Sequence, residues 1–78
     1  MKSLIEYVAR SLVDHPEEVT VHEVRKGSSV NIALHVAKDD MGRVIGKNGR
    51  VANAIRILLK VAAARQGLRA TLDVEEPR

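Results

Sequence analysis

The chain has no cysteine, tryptophan or phenylalanine, and one tyrosine, Tyr7. Without cysteine there is no disulfide framework and no thiolate metal site. Without aromatic rings the core must be built from Val, Ile, Leu and Ala, and bases cannot be stacked on a row of rings as RRM sheets and many OB-folds stack them. Long apolar runs are also missing. The longest near the C-terminus, "ILLKVAAA", is interrupted by Lys60 and is far too short to span a bilayer. The N-terminal "MKSLIEYVARSL" carries Glu6 inside its apolar stretch and has no signal-peptide core. A soluble, cytoplasmic protein with no membrane partner is expected.

A more telling absence is local. Between Met41 and Arg69 there is no Asp or Glu, while Arg43, Lys47, Arg50, Arg56, Lys60, Arg65 and Arg69 all fall there. That segment is +7 and the rest of the chain −4, giving the overall +3. A solvated helix face usually mixes both signs, so a segment of one sign points to a polyanionic partner.

Seventy-eight residues allow one domain, 1–78, ordered over about 3–75, with residues 76–78 as a tail. A chain this short buries only about 60% of its unfolded surface, so its core is thin. Ser3 and Glu6 have the spacing of a capping box, and Leu4, Ile5, Val8 and Leu12 recur on one helical face. Pro16 ends that helix by residue 15. Val19 and Val21 alternate with Thr20 and His22, and the phase slip at Val24 predicts a bulge. "RKGSS" is a hairpin turn around Gly27, and Val30, Ile32, Leu34 and Val36 alternate cleanly as a second strand. Asp39 and Asp40 suit the N-cap and first turn of a short helix ending near Ile45.

After Gly49 a longer helix runs to about Gln66. Its expected inner face is Val51, Ala54, Ile55, Leu58, Leu59 and Ala62, and Gly67 is its stop. Ala70, Leu72 and Val74 mark a last strand. The order α-β-β-α-α-β fits a two-layer α+β sandwich.

The stretch "GRVIGKNGRV", Gly42–Val51, carries the chemistry. A pair of glycines three apart, placed before a long helix, lets the chain turn with positive φ and lets a ligand backbone approach closely. The first N–H groups of that helix make an anion site. Lys47 lies at the loop tip, with Arg43 a turn before it and Arg50 after the second glycine. A nucleotide-hydrolysing P-loop is excluded, because only three residues separate Gly42 from Gly46 and Asn48 stands where magnesium needs Ser or Thr.

"Val44-Ile45-Gly46-Lys47-Asn48-Gly49-Arg50-Val51…Ile55" resembles the I-G-x-x-G signature of KH domains. A strand pair before the loop and one strand after it resembles their type II arrangement, with a three-stranded sheet against three helices. With "DMGRVIGKNGR" and this length, nearly the whole chain is similar to the KhpA family of small stand-alone bacterial KH proteins. The resemblance implies that Gly46, Lys47, Asn48 and Gly49 grip the backbone of about four nucleotides of single-stranded RNA. It implies that Ile45 faces the apolar floor of the groove; Arg43 and Arg50, by their own positions, form one phosphate-facing cluster with Lys47. An RNA-chaperone or post-transcriptional regulatory role goes with it, as does pairing with itself or with a larger KH protein of the Jag type.

Other residues have plainer readings. For Arg56 and Lys60, on the polar side of the long helix, RNA guidance and solubility both remain open. His15, His22 and His35 show no ligand spacing, so no metal or cofactor is expected. Asp39 and Asp40 are explained by capping, and no nucleophile–base set exists, so neither catalysis nor a small-molecule substrate is expected. Ile57, Val61 and Ala64 form an apolar strip beside the inner face. It completes the core or is a dimer patch, the latter supporting an alternative function as a protein-interaction module.

Overall fold

The computed structural model describes residues 1–75. The expected C-terminal tail at 76–78 lies outside the described residues. The elements are α1 (Lys2–Leu12), β1 (Thr20–Lys26), β2 (Ser29–His35), α2 (Met41–Ile45), α3 (Arg50–Ala64) and β3 (Arg69–Glu75), with single 3-10 turns at Pro16–Glu18, Lys38–Asp40 and Lys47–Gly49. The α-β-β-α-α-β order is the one expected. Glu75 ends β3 beside His35.

The sheet order is β1-β2-β3. β2 pairs antiparallel with β1 and parallel with β3, the crossover between the two parallel strands being made by α2 and α3. Only one sheet face is covered. In β2 the side chains of Val30, Ile32 and Leu34 are buried while those between them are not, and Ala70 and Leu72 repeat the alternation in β3. Ile5 and Ala9 of α1, Val44 of α2, and Ile55, Leu59 and Ala63 of α3 close the same core. It is wholly aliphatic, as the composition requires.

Four local expectations differ from the structure. Helix α1 begins at Lys2 with Met1 as its N-cap, and no side-chain cap forms. Ser3 is therefore already inside the first turn, and Glu6 instead pairs with Arg10 at 3.1 Å. β1 has no bulge, because its register runs unbroken from Thr20↔His35 to Lys26↔Ser29. Val24 simply points to the open face, 59% exposed.

The inner face of α3 is also rotated from the expected one. Ala52, Ile55, Leu59 and Ala63 are buried, whereas Leu58 is 51% exposed and Ala54 is on the surface. With apolar residues around most of the helix, hydropathy alone does not fix the phase. Finally, Asp40 does not cap α2: its side chain makes no cap bond and is buried among other partners.

The expected stop of α3 is formed. Gly67 has φ +70°, and the Leu68 N–H reaches back to the Ala63 carbonyl at 2.9 Å. This is the 6→1 bond of a Schellman ending.

Candidate nucleic-acid interface

The core fixes α2 through Val44, which is fully buried, while its neighbour Ile45 is at the surface with 36% exposure. The helix then ends at Gly46, whose N–H donates to the Gly42 carbonyl at 2.8 Å. Gly46 has φ 74° and ψ 172°, a combination open in practice only to glycine. Asn48 (φ 57°) and Gly49 (φ 72°) follow in the left-handed region. Asn is among the few side chains that tolerate this backbone. The two glycines thus turn α2 into α3, as expected.

The anion-binding potential lies slightly further forward than the sequence suggested. The Gly49 N–H donates to the Gly46 carbonyl at 3.2 Å, and the Arg50 N–H donates to the Lys47 carbonyl. The N–H groups of Lys47 and Asn48 are the first two of this turn and have no partner within it. These two amides, the exposed Lys47 and Arg50 side chains and the positive end of the 15-residue α3 therefore meet at one place.

Arg43 is differently engaged. Its Nη2 lies 3.0 Å from Asp14 Oδ2 and its Nε 3.9 Å from Asp40 Oδ1, so two carboxylates share this guanidinium. Asp40 was missed as anything but a cap, since its partners lie 25 and 26 residues away.

Along α3, Arg56 and Lys60 flank a groove of about 250 Å³ between this helix and the edge strand β3, with Leu59, Ala70, Thr71 and Leu72 as its other walls. Arg56 Nε donates to the Leu72 carbonyl at 3.4 Å and its Nη1 to Asn53 Oδ1 at 3.3 Å. Arg56 is thus anchored against the edge of the sheet and Lys60 is exposed on the surface. Ile57 (62% exposed), Val61 (52%) and Ala64 lie on the outer side of α3, joined by Leu58.

The histidines are dispersed. His22 and His35 make an edge-on contact on the open sheet face, with ring centroids 5.6 Å apart, and His35 Nε2 lies 3.0 Å from Glu75 Oε2. His15, Glu17 and Glu18 bring ligand-type atoms within 4.8 Å of one another on an exposed turn, a proximity the spacing had not suggested. Among the described residues no helix is long and apolar enough to cross a membrane.

The family model described as KhpA/KhpB, KH domain matches residues 2–74. The chain belongs to the KhpA/KhpB KH-domain family. This is not a family of enzymes, and the observed element order and mixed sheet are those of a type II KH domain. The RNA-binding protein KhpA of Halalkalibacterium halodurans is 50% identical over 74 residues, covering 95% of this chain and 97% of its own. The protein of the same name from Clostridium acetobutylicum is 49% identical over 74 residues, with 95% and 99% covered. That of Chlamydia pneumoniae is 42% identical over 78 residues, the full length of both chains. No solved structure matches the chain significantly.

Proposed function

We propose that this protein binds short single-stranded RNA through the Gly46-Lys47-Asn48-Gly49 loop and acts in the cytoplasm as an RNA chaperone or post-transcriptional regulator. The observation that carries the reading is the pair of leading amides at Lys47 and Asn48, without a partner in their own turn and set at the N-terminus of α3 in the segment devoid of acidic residues. The amides and the Lys47 ammonium hold phosphate oxygens, and Arg50 adds charge. Glycine at 46 and 49 removes the side chains that would keep a sugar–phosphate backbone at a distance. Ile45 offers an aliphatic floor, and a groove lies between Arg56, Lys60 and β3. Without an aromatic platform the binding is weak per domain and mild in sequence preference.

The test is the double change Lys47→Asp with Asn48→Asp, with circular dichroism to verify the fold. RNA crosslinking in cells is expected to disappear. Crosslinking retained at the original level removes the loop as the RNA site. The name RNA-binding protein KhpA, carried by the relatives, supports RNA as the ligand.

A second reading concerns pairing. Ile57, Leu58, Val61 and Ala64 expose an apolar strip on α3 that the chain's own core does not use. Such a strip suits a second copy of this chain or a larger Jag-type KH protein. Pairing is compatible with RNA binding, since two linked loops raise avidity for a longer strand.

A further inference from the structure

Among the described residues Asp40 is the one charged side chain in the buried interior, with 1% exposure. It stands immediately before α2, where an aspartate ordinarily caps its own helix. Here it does not. Oδ1 accepts the Asp14 backbone N–H and Oδ2 the His15 backbone N–H, each at 3.0 Å. Arg43, one turn along α2, closes the arrangement by bridging Asp40 and Asp14. The turn after α1 is thereby tied to the start of α2.

A buried carboxylate is costly unless it is hydrogen-bonded and paired, so an arrangement that satisfies both oxygens tolerates little displacement. The tie also has a direction. Helix α2 has only five residues, too few to persist on local bonds, and its last residue leads directly into Gly46. Its fixed points are the Asp40 tie at the start and Val44 in the core. Between them they set the orientation in which α2 delivers the loop.

We infer that Asp40 is a positioning residue for the RNA loop: by clamping the start of α2 to the Asp14–His15 turn it holds Gly46–Gly49 in the RNA-competent orientation, and it engages Arg43 with carboxylates in place of phosphate. This rests on the reading of that loop as the RNA site. Pre-organisation sets the apparent affinity through the fraction of molecules in the competent state, whereas the number of phosphates neutralised sets the salt dependence. The two quantities separate positioning from contact.

The test uses the full chain, a fluorescein-labelled octaribonucleotide of random sequence and a salt titration. Asp40→Asn keeps one acceptor and turns an amide donor toward the other N–H. It is expected to weaken binding roughly three- to ten-fold, a competent fraction of about a third to a tenth, with the log–log salt slope unchanged. The Lys47 and Asn48 amide resonances should broaden or shift. Ile32→Val, a core change in the fully buried centre of β2, serves as a control for general destabilisation and should bind as the unaltered protein does.

Unaltered affinity in folded Asp40→Asn overturns the inference, as does an equal loss in Ile32→Val. If Asp40→Asn does not fold, Arg43→Gln takes its place, with the same affinity loss and unchanged slope expected. A slope shallower by about 0.7 would make Arg43 a phosphate ligand and overturn its assignment to the clamp. Failure of the loop reading is distinguishable, because binding would then survive Lys47→Asp with Asn48→Asp, and the inference would fall with it.

Discussion

Gly46 and Val51 compete for the same space: a Cβ built on Gly46 would stand 2.9 Å from both the Cβ and the backbone nitrogen of Val51, and nearer still to its Cγ2. The close approach brings the first turn of α3 against the end of α2, and it forbids any side chain at 46. Gly46→Ala therefore combines overlap with a backbone conformation reserved for glycine, and should cost about 3 kcal/mol or more. Gly49 has nothing within 4 Å of such a Cβ, and its left-handed conformation is one that Asn adopts. Gly49→Ala should cost about 1 kcal/mol and Gly49→Asn less. Urea unfolding followed by circular dichroism gives all three. Equal losses at 46 and 49 would contradict the packing of Gly46 on Val51.

The phase of α3 is tested by two adjacent leucines. Leu59 is 1% exposed and Leu58 is 51% exposed. Leu59→Ala should cost about 2–5 kcal/mol, a large share of the stability of a domain this small. Leu58→Ala should stay within about 0.5 kcal/mol. The midpoints of urea unfolding decide it, and comparable losses at 58 and 59 would restore the inner face read from hydropathy, which holds both leucines.

That helix shows what was and was not legible in the residues. Element order, hairpin, loop and the Gly67 stop could be read because each rests on local chemistry: alternation, glycine with positive φ, a proline break. The side of α3 that faces the sheet could be read only in part: Ile55 and Leu59 are buried as expected, but the exposed Ala54 and Leu58 are as apolar as the buried Ala52 and Ala63. Alanines 9, 52 and 63 are buried, and which alanines face inward is a property of three-dimensional packing and not of hydropathy. Asp40 failed for a related reason. A carboxylate before a helix is locally explained as a cap, and nothing in the neighbouring residues reveals that its donors belong to Asp14 and His15.

Within the RNA site, neutral substitutions should separate charge from shape. If about three phosphates are held, the slope of log affinity against log salt is near −2, from roughly −0.7 per phosphate on a single strand. Lys47→Gln removes one cation and leaves the loop amides in place, so the slope should become shallower by about 0.7 while binding persists. Lys2→Gln, at the start of α1 where the lysine faces Glu6, should leave it unchanged. Fluorescence anisotropy with an octaribonucleotide across a salt series measures both. An unchanged slope in Lys47→Gln would remove Lys47 as a phosphate ligand.

The apolar strip on α3 yields the last expectation. Ile57 contributes little to the core at 62% exposure, so Ile57→Glu should fold normally and keep its thermal midpoint if the protein is a monomer. If the strip pairs two chains, the buried carboxylate has no partner and association should be lost, seen as a fall in mass by light scattering. RNA length adds a second readout. One loop accommodates about four nucleotides, so an octamer need engage only one domain, whereas a sixteen-nucleotide strand can reach two. Losing the pair should therefore weaken the longer strand by an order of magnitude or more through lost avidity, and leave the octamer nearly unaffected. A lower mass with both strands equally unaffected would mean that the pair does not present its two loops to one RNA. An unchanged mass would mean that Ile57 lies outside any interface.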